Sequence, residues 1–118
     1  DQPLVVYGSG KQTRCFADVS DVTDAFVKLM STPECVGEIF NVGTTESISI
    51  DDLARKVKSI CRSKSRIDYM SYEEAFEEGF EDMMNRKPSL DKICKFIGYD
   101  PKYSLDDIIK RMIEYYEN

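Results

Sequence analysis

Along this 118-residue chain apolar residues recur in two alternating rhythms, every second residue and every three to four. Short strand-like runs that alternate with longer helix-like ones allow only a mixed α/β fold. Leu4–Tyr7 and Thr13–Ala17 read as the arms of an N-terminal β-hairpin. Between them lies Gly8-Ser9-Gly10-Lys11, whose glycines supply the positive φ angles that such turns require. A helix follows over Asp21–Met30, with Val22, Ala25, Phe26, Leu29 and Met30 on its apolar face, and Pro33 and Gly37 break the pattern. Glu38–Gly43 reads as a strand, and Ser47–Ile50 adds a few extended residues.

Ser49 opens the next helix, with Asp52 as the far half of an imperfect capping box and Leu53, Ala54, Val57, Ile60 and Cys61 on the buried face. Ser65–Met70 is a further strand, and Ser71 with Glu74 caps a short helix. Ser89 starts a helix carrying Leu90, Ile93, Cys94 and Ile97, ended by Gly98 and Pro101. Ser104 caps the last helix, whose apolar positions are Leu105, Ile108, Ile109, Met112 and Tyr116. The sum is one domain over residues 1–118: short strands with four or five amphipathic helices.

The glycine turn is not a phosphate loop. A P-loop needs Ser or Thr after Gly-Lys, and Gln12 stands there with Val5 in place of the first glycine. The dinucleotide pattern needs a third glycine where Thr13 stands, and a helix where Thr13–Phe16 is β-prone. A net charge of −6 and the lack of a basic stripe argue against non-specific nucleic-acid binding. No apolar run is long enough to span a membrane. Histidine is absent, and the cysteines at 15, 35, 61 and 94 form no C-x-x-C pair, so neither a zinc site nor histidine acid–base chemistry is expected. Cys61 and Cys94 fall on apolar helix faces as small core residues, in keeping with a reducing, cytoplasmic setting. The start at Asp1, a few residues before a strand, reads as a piece of something longer.

Residues 3–30, PLVVYGSGKQTRCFADVSDVTDAFVKLM, resemble the start of the C-terminal part of extended short-chain dehydrogenase/reductases acting on nucleotide sugars. That resemblance is carried by Tyr7, Gly8, Gly10, Gln12, Arg14, Phe16, Val19, Asp21 and Val22. GEIFNVG (37–43) is similar to the family's G-E-x-[FY]-N-[VI]-G strand, and SISIDDLARKV (47–57) to the helix after it. The stretch from Gly79 to Tyr116 resembles the tail E-D-x-x-x-R-x-P-D-x-x-K-x-x-x-x-[LI]-G-[WY]-x-P. Asp18 stands where the family more often has Tyr or His. Ser89 replaces its usual Asp and is either an altered ribose contact or a plain N-cap.

The resemblance implies the nucleotide-sugar-binding C-terminal portion of an NAD-dependent epimerase, dehydratase or decarboxylase, an isomerase or lyase. NAD would be held by the N-terminal Rossmann part, which is not in this chain, and no catalytic pair is expected here. Tyr7 and Lys11 satisfy Tyr-x-x-x-Lys only across a glycine turn, where the shared helix face that couples such a pair is lost. A diphosphate asks for guanidinium forks. The resemblance puts Arg14 and Arg86 near it, against the alternative of ion-paired arginines, with Arg86 answering the acidic run Glu73–Asp82. It places Tyr7 at the nucleobase pocket or in plain packing, and Asn41 toward substrate or a neighbouring turn. Asp21 reads as a carboxylate at a helix N-terminus, and the acidic run as a solvated face. The competing reading is a stand-alone, non-catalytic binding module descended from such an enzyme. An unpaired Glu38–Gly43 edge would favour a homodimer.

Overall fold

The computed structural model describes residues 2–76 and 82–117. The chain forms two compact units, each assembled from separate stretches: residues 1–14 with 47–86, and 15–46 with 87–118. The architecture is α/β, with short strands and five helices among the described residues.

In the first unit β1 (Leu4–Tyr7) runs parallel to β4 (Ile67–Met70), in the register Leu4↔Ile67 to Tyr7↔Met70. A parallel pair needs a crossover. Helix α2 (Ile50–Ile60) lies in that crossover and packs on β1, where Val6 is buried. β2 (Thr13–Cys15) pairs with β3 (Ser47–Ser49). The expected N-terminal hairpin is therefore absent: β1 and β2 flank one turn but lie in different sheets. Gly8 and Gly10 do take φ +68° and +71°, yet Ser9 between them does not join them at positive φ. A two-residue hairpin turn of type I′ needs consecutive positive-φ positions. The groups a hairpin would pair are engaged elsewhere. Gln12 Nε2 donates to Tyr7 O at 2.9 Å, Asp51 N to Gly10 O at 2.9 Å and Ile50 N to Gln12 O at 3.0 Å.

The caps at Ser49 and Ser71 form as the spacing predicts. Ser49 Oγ accepts from Asp52 N at 3.0 Å, and Ser71 and Glu74 close a full capping box at the start of α3 (Tyr72–Ala75). Leu53, Ala54, Val57 and Ile60 are half-buried, whereas Cys61 is exposed.

In the second unit α1 (Val19–Met30) is capped by Asp18, which accepts from Ser20 N at 2.8 Å. A 3-10 turn (Pro33–Cys35), α4 (Asp91–Ile97) and α5 (Leu105–Glu117) follow. The core joins Ala25, Leu90, Ile93 and Tyr99, flanked by Leu29, Phe40, Val42 and Ile97. Four expectations are corrected here. The N-cap of α4 is Leu90, without a side-chain bond, so Ser89 does not cap it. Cys94 is exposed rather than core, its thiol turned to Tyr99 O. Phe26, Met30, Met112 and Tyr116, assigned to buried faces, are exposed. Glu38–Gly43 forms no strand: burial alternates, with Phe40 and Val42 inward and Ile39 and Asn41 outward, but no strand among the described residues pairs with it. Periodicity reports the side chains; a strand also needs a neighbour.

Candidate functional site

At the C-terminal end of β1, where ligands gather in parallel sheets, the first unit holds an open cavity of about 360 Å³. Tyr7 ends β1 at its edge, Arg14 enters from β2, and Tyr72 and Phe76 come from α3 and the residue that caps its end. Val5, Gln12, Ile50 and Asp82 complete the lining. The rings of Tyr7 and Phe76 meet edge-on at 5.4 Å, and Tyr72 tilts against Phe76 at 6.1 Å. One wall is thus aromatic, an arrangement that suits a flat ring.

Arg14 supplies the charge. Its Nη1 donates to Thr13 O at 2.6 Å and to Met83 O at 2.8 Å, and its Nη2 pairs with Asp82 Oδ1. The other oxygen of Asp82 accepts from the Tyr72 phenol at 3.0 Å. Burial and then the bond to Asp82 push the Tyr72 phenol above its ordinary value, so it stays a neutral donor. The chain from Met83 to Asn85 is strapped to β2 by Thr13, whose N–H donates to Met84 O at 2.7 Å and whose hydroxyl donates to Asn85 at 3.0 Å.

Two of the four residues singled out from sequence, Tyr7 and Arg14, therefore line one cavity. Arg86 belongs to the same unit but is exposed and not among the lining residues. Asn41 lies in the second unit, exposed, its Nδ2 3.4 Å from Ser89 O. Gln12, Tyr72, Phe76 and Asp82 were missed. Gln12 and Asp82 stood in the motifs already quoted, but nothing local marked their side chains as pointing inward. Asp82 also departs from the solvated face expected of the acidic run; Glu77, Glu78 and Glu81 lie outside the described residues.

The glycine turn does not fit a pyrophosphate. A Cβ on Gly8 would come within 2.6 Å of the Tyr72 ring, and one on Gly10 within 3.1 Å of the Asp51 side chain. The space that glycine leaves for phosphate in a dinucleotide loop is filled here by the Tyr72 phenol beside Gly8 and by the Val6 and Asp51 side chains beside Gly10. The second unit has an open groove of about 380 Å³ lined mainly by apolar side chains, among them Phe26, Met30, Val36 and Phe40. Among the described residues no helix is long and apolar enough to cross a membrane.

The chain resembles known proteins over nearly all of its length. UDP-N-acetyl-alpha-D-glucosaminuronate decarboxylase of Bacillus cytotoxicus is 35% identical over 113 residues, which are 96% of this chain and 35% of that protein. A UDP-glucose 4-epimerase from Thermotoga maritima, solved with UDP-glucose, superposes with a TM-score of 0.84 at 24% identity, over 98% of this chain and 35% of its own. A UDP-glucuronic acid 4-epimerase from Bacillus cereus, solved with NAD, gives 0.80 at 23%, over 98% and 34%. The chain thus spans about a third of the length of the relatives it matches. The resemblance to extended short-chain dehydrogenase/reductases of nucleotide sugars is borne out. The family model described as GDP-mannose 4,6 dehydratase matches residues 1–112, and the chain belongs to that family.

Proposed function

We propose that this chain is the nucleotide-sugar-binding portion of an NAD-dependent sugar-nucleotide epimerase, dehydratase or decarboxylase. The observation that carries the proposal is Arg14, held by three bonds beside an aromatic wall. A guanidinium has five N–H donors. Three of those of Arg14 are engaged, leaving one on Nη2 and the one on Nε without an acceptor among the described residues. Two donors on one planar group suit two oxygens of a diphosphate, and Tyr7 suits the base. Arg86, in the same unit, is proposed as a further contact to this ligand, and Asn41, in the second unit, as a substrate-binding residue.

NAD, when bound, accepts and returns the hydride. In this proposal it is held by the part of the relatives that this chain does not span, because the Gly8–Gly10 turn is filled by protein. The residues of this chain bind and orient substrate and move no proton. A reducing, cytoplasmic setting is part of the proposal, from the wide spacing of the four cysteines.

The test is an NMR titration of the chain with UDP, dTDP, GDP and ADP. Shifts centred on Tyr7 and Arg14 are expected, with one base preferred. Binding that persists unchanged in Arg14→Ala would overturn the proposal.

A further inference from the structure

The phenol of Tyr72 is the far end of a chain of contacts that begins at Gly8. The turn brings Gly8 so close beneath the Tyr72 ring that a Cβ there would sit 2.6 Å from Cε2 and Cζ. The ring so placed donates its hydroxyl to Asp82 Oδ2 at 3.0 Å, and Asp82 Oδ1 pairs with Arg14 Nη2. Arg14 and Asp82 are largely shielded, their side chains 21% and 27% exposed.

We propose that Tyr72 and Asp82 form a positioning relay, made possible by the bare α-carbon of Gly8, that fixes the plane of the Arg14 guanidinium and so aims its two remaining N–H groups. Of the three acceptors that hold the guanidinium, only Asp82 is a side chain able to turn about its own bonds. With its second oxygen anchored by Tyr72, the carboxylate is itself held, and the carbonyls of Thr13 and Met83 complete a three-point mount. The ligand class is an oxyanion pair such as a diphosphate; in this respect the relay rests on the function proposed above. The glycine turn therefore serves anion binding at one remove. It touches no phosphate and shapes the mount of the residue that does.

Tyr72→Phe is the discriminating variant, because it keeps the ring over Gly8 and against Phe76 and removes only the hydroxyl. Two measurements are made on the whole chain. The first follows rotation of the Arg14 guanidinium by ¹⁵N NMR without ligand. Slow rotation is expected in the wild type and faster rotation in Tyr72→Phe, with backbone shifts of β1 and β4 unchanged. Equal rotation in the two proteins would overturn the relay. The second measures UDP affinity, expected to weaken about tenfold in Tyr72→Phe, the equivalent of one hydrogen bond. Asp82→Asn, which keeps an acceptor for Tyr72, should fall between the wild type and Arg14→Ala. Faster rotation with unchanged UDP affinity would support the relay and overturn the diphosphate assignment instead, so the two ideas fail separately.

Discussion

The Tyr99 phenol donates to the carbonyl oxygen of Gly43, 2.8 Å away and fifty-six residues earlier in the chain. This bond ties the second residue after α4 to the last residue of GEIFNVG, inside the core of the second unit. Tyr99 is 7% exposed, and its loss would strand a buried carbonyl. Tyr99→Phe is expected to cost about 1–2 kcal/mol, read as a lower thermal midpoint. Burial first, and the Asp21 charge second, raise this phenol above its ordinary value of 10.0. A raised folded value favours the protonated form. That stabilisation is whole below the unfolded value near 10.0 and disappears as pH rises through the higher folded one. Wild type should therefore lose stability more steeply above pH 10 than Tyr99→Phe does.

Asp21 is 3% exposed, and what it holds is backbone. Both its oxygens lie 3.1 Å from Lys102 N, and one also accepts from Tyr103 N at 3.2 Å. The helix N-terminus explains its place on α1 but not this second task, which joins α1 to the approach to α5. Asp21→Asn turns an amide donor toward N–H donors and is expected to destabilise by about 1–3 kcal/mol in chemical denaturation. The same substitution removes a charge that raises Tyr99, so the Tyr99 phenol should titrate nearer 10.0, followed by its ring resonances.

Two glycines with similar backbones should respond differently to alanine. Gly98 ends α4 at φ +61° with open space where a Cβ would go, so Gly98→Ala carries only the left-handed backbone penalty, about 1 kcal/mol. Gly8 at φ +68° carries that penalty and also displaces the Tyr72 ring. Gly8→Ala is expected to be the more destabilising of the two and alone to weaken UDP binding. Equal losses would show that the ring moves aside freely.

Ile39 is 86% exposed and Val36 84%, on a segment whose backbone has no ladder among the described residues. Sheet-ready backbone with bare aliphatic neighbours pairs readily with a second copy. Sedimentation is expected to show a dimer that Ile39→Lys shifts to monomer; a monomer at all concentrations would count against it.

What was legible in the sequence follows from range. Ser49, Ser71 and Ser104 cap their helices through bonds to a residue three positions on, and each was readable because cap and partner share one turn. The hairpin failed because β1 pairs with residues more than sixty positions away, which no local pattern announces. Glu38–Gly43 showed its alternation truthfully but could not show the missing neighbour. In the site, Arg14 was found through the family motif it matches together with the guanidinium that a diphosphate asks for. Asp82 and Tyr72 were not, because acid and phenol become partners of Arg14 only when strands distant in sequence come together.

The two units are interleaved along the chain, and that orders their folding in time. Ala25 belongs to a core whose other buried members, Leu90, Ile93 and Tyr99, are made in the last third of the chain. As the polypeptide leaves the ribosome, α1 and the Pro33–Cys35 turn on which it packs emerge long before the buried residues that close their core. The first unit likewise waits for β4 before β1 has a partner. Neither core can close until its second stretch has been made, and the elements that complete the two, β4 and the segment ending at Tyr99, follow one another within a few dozen residues.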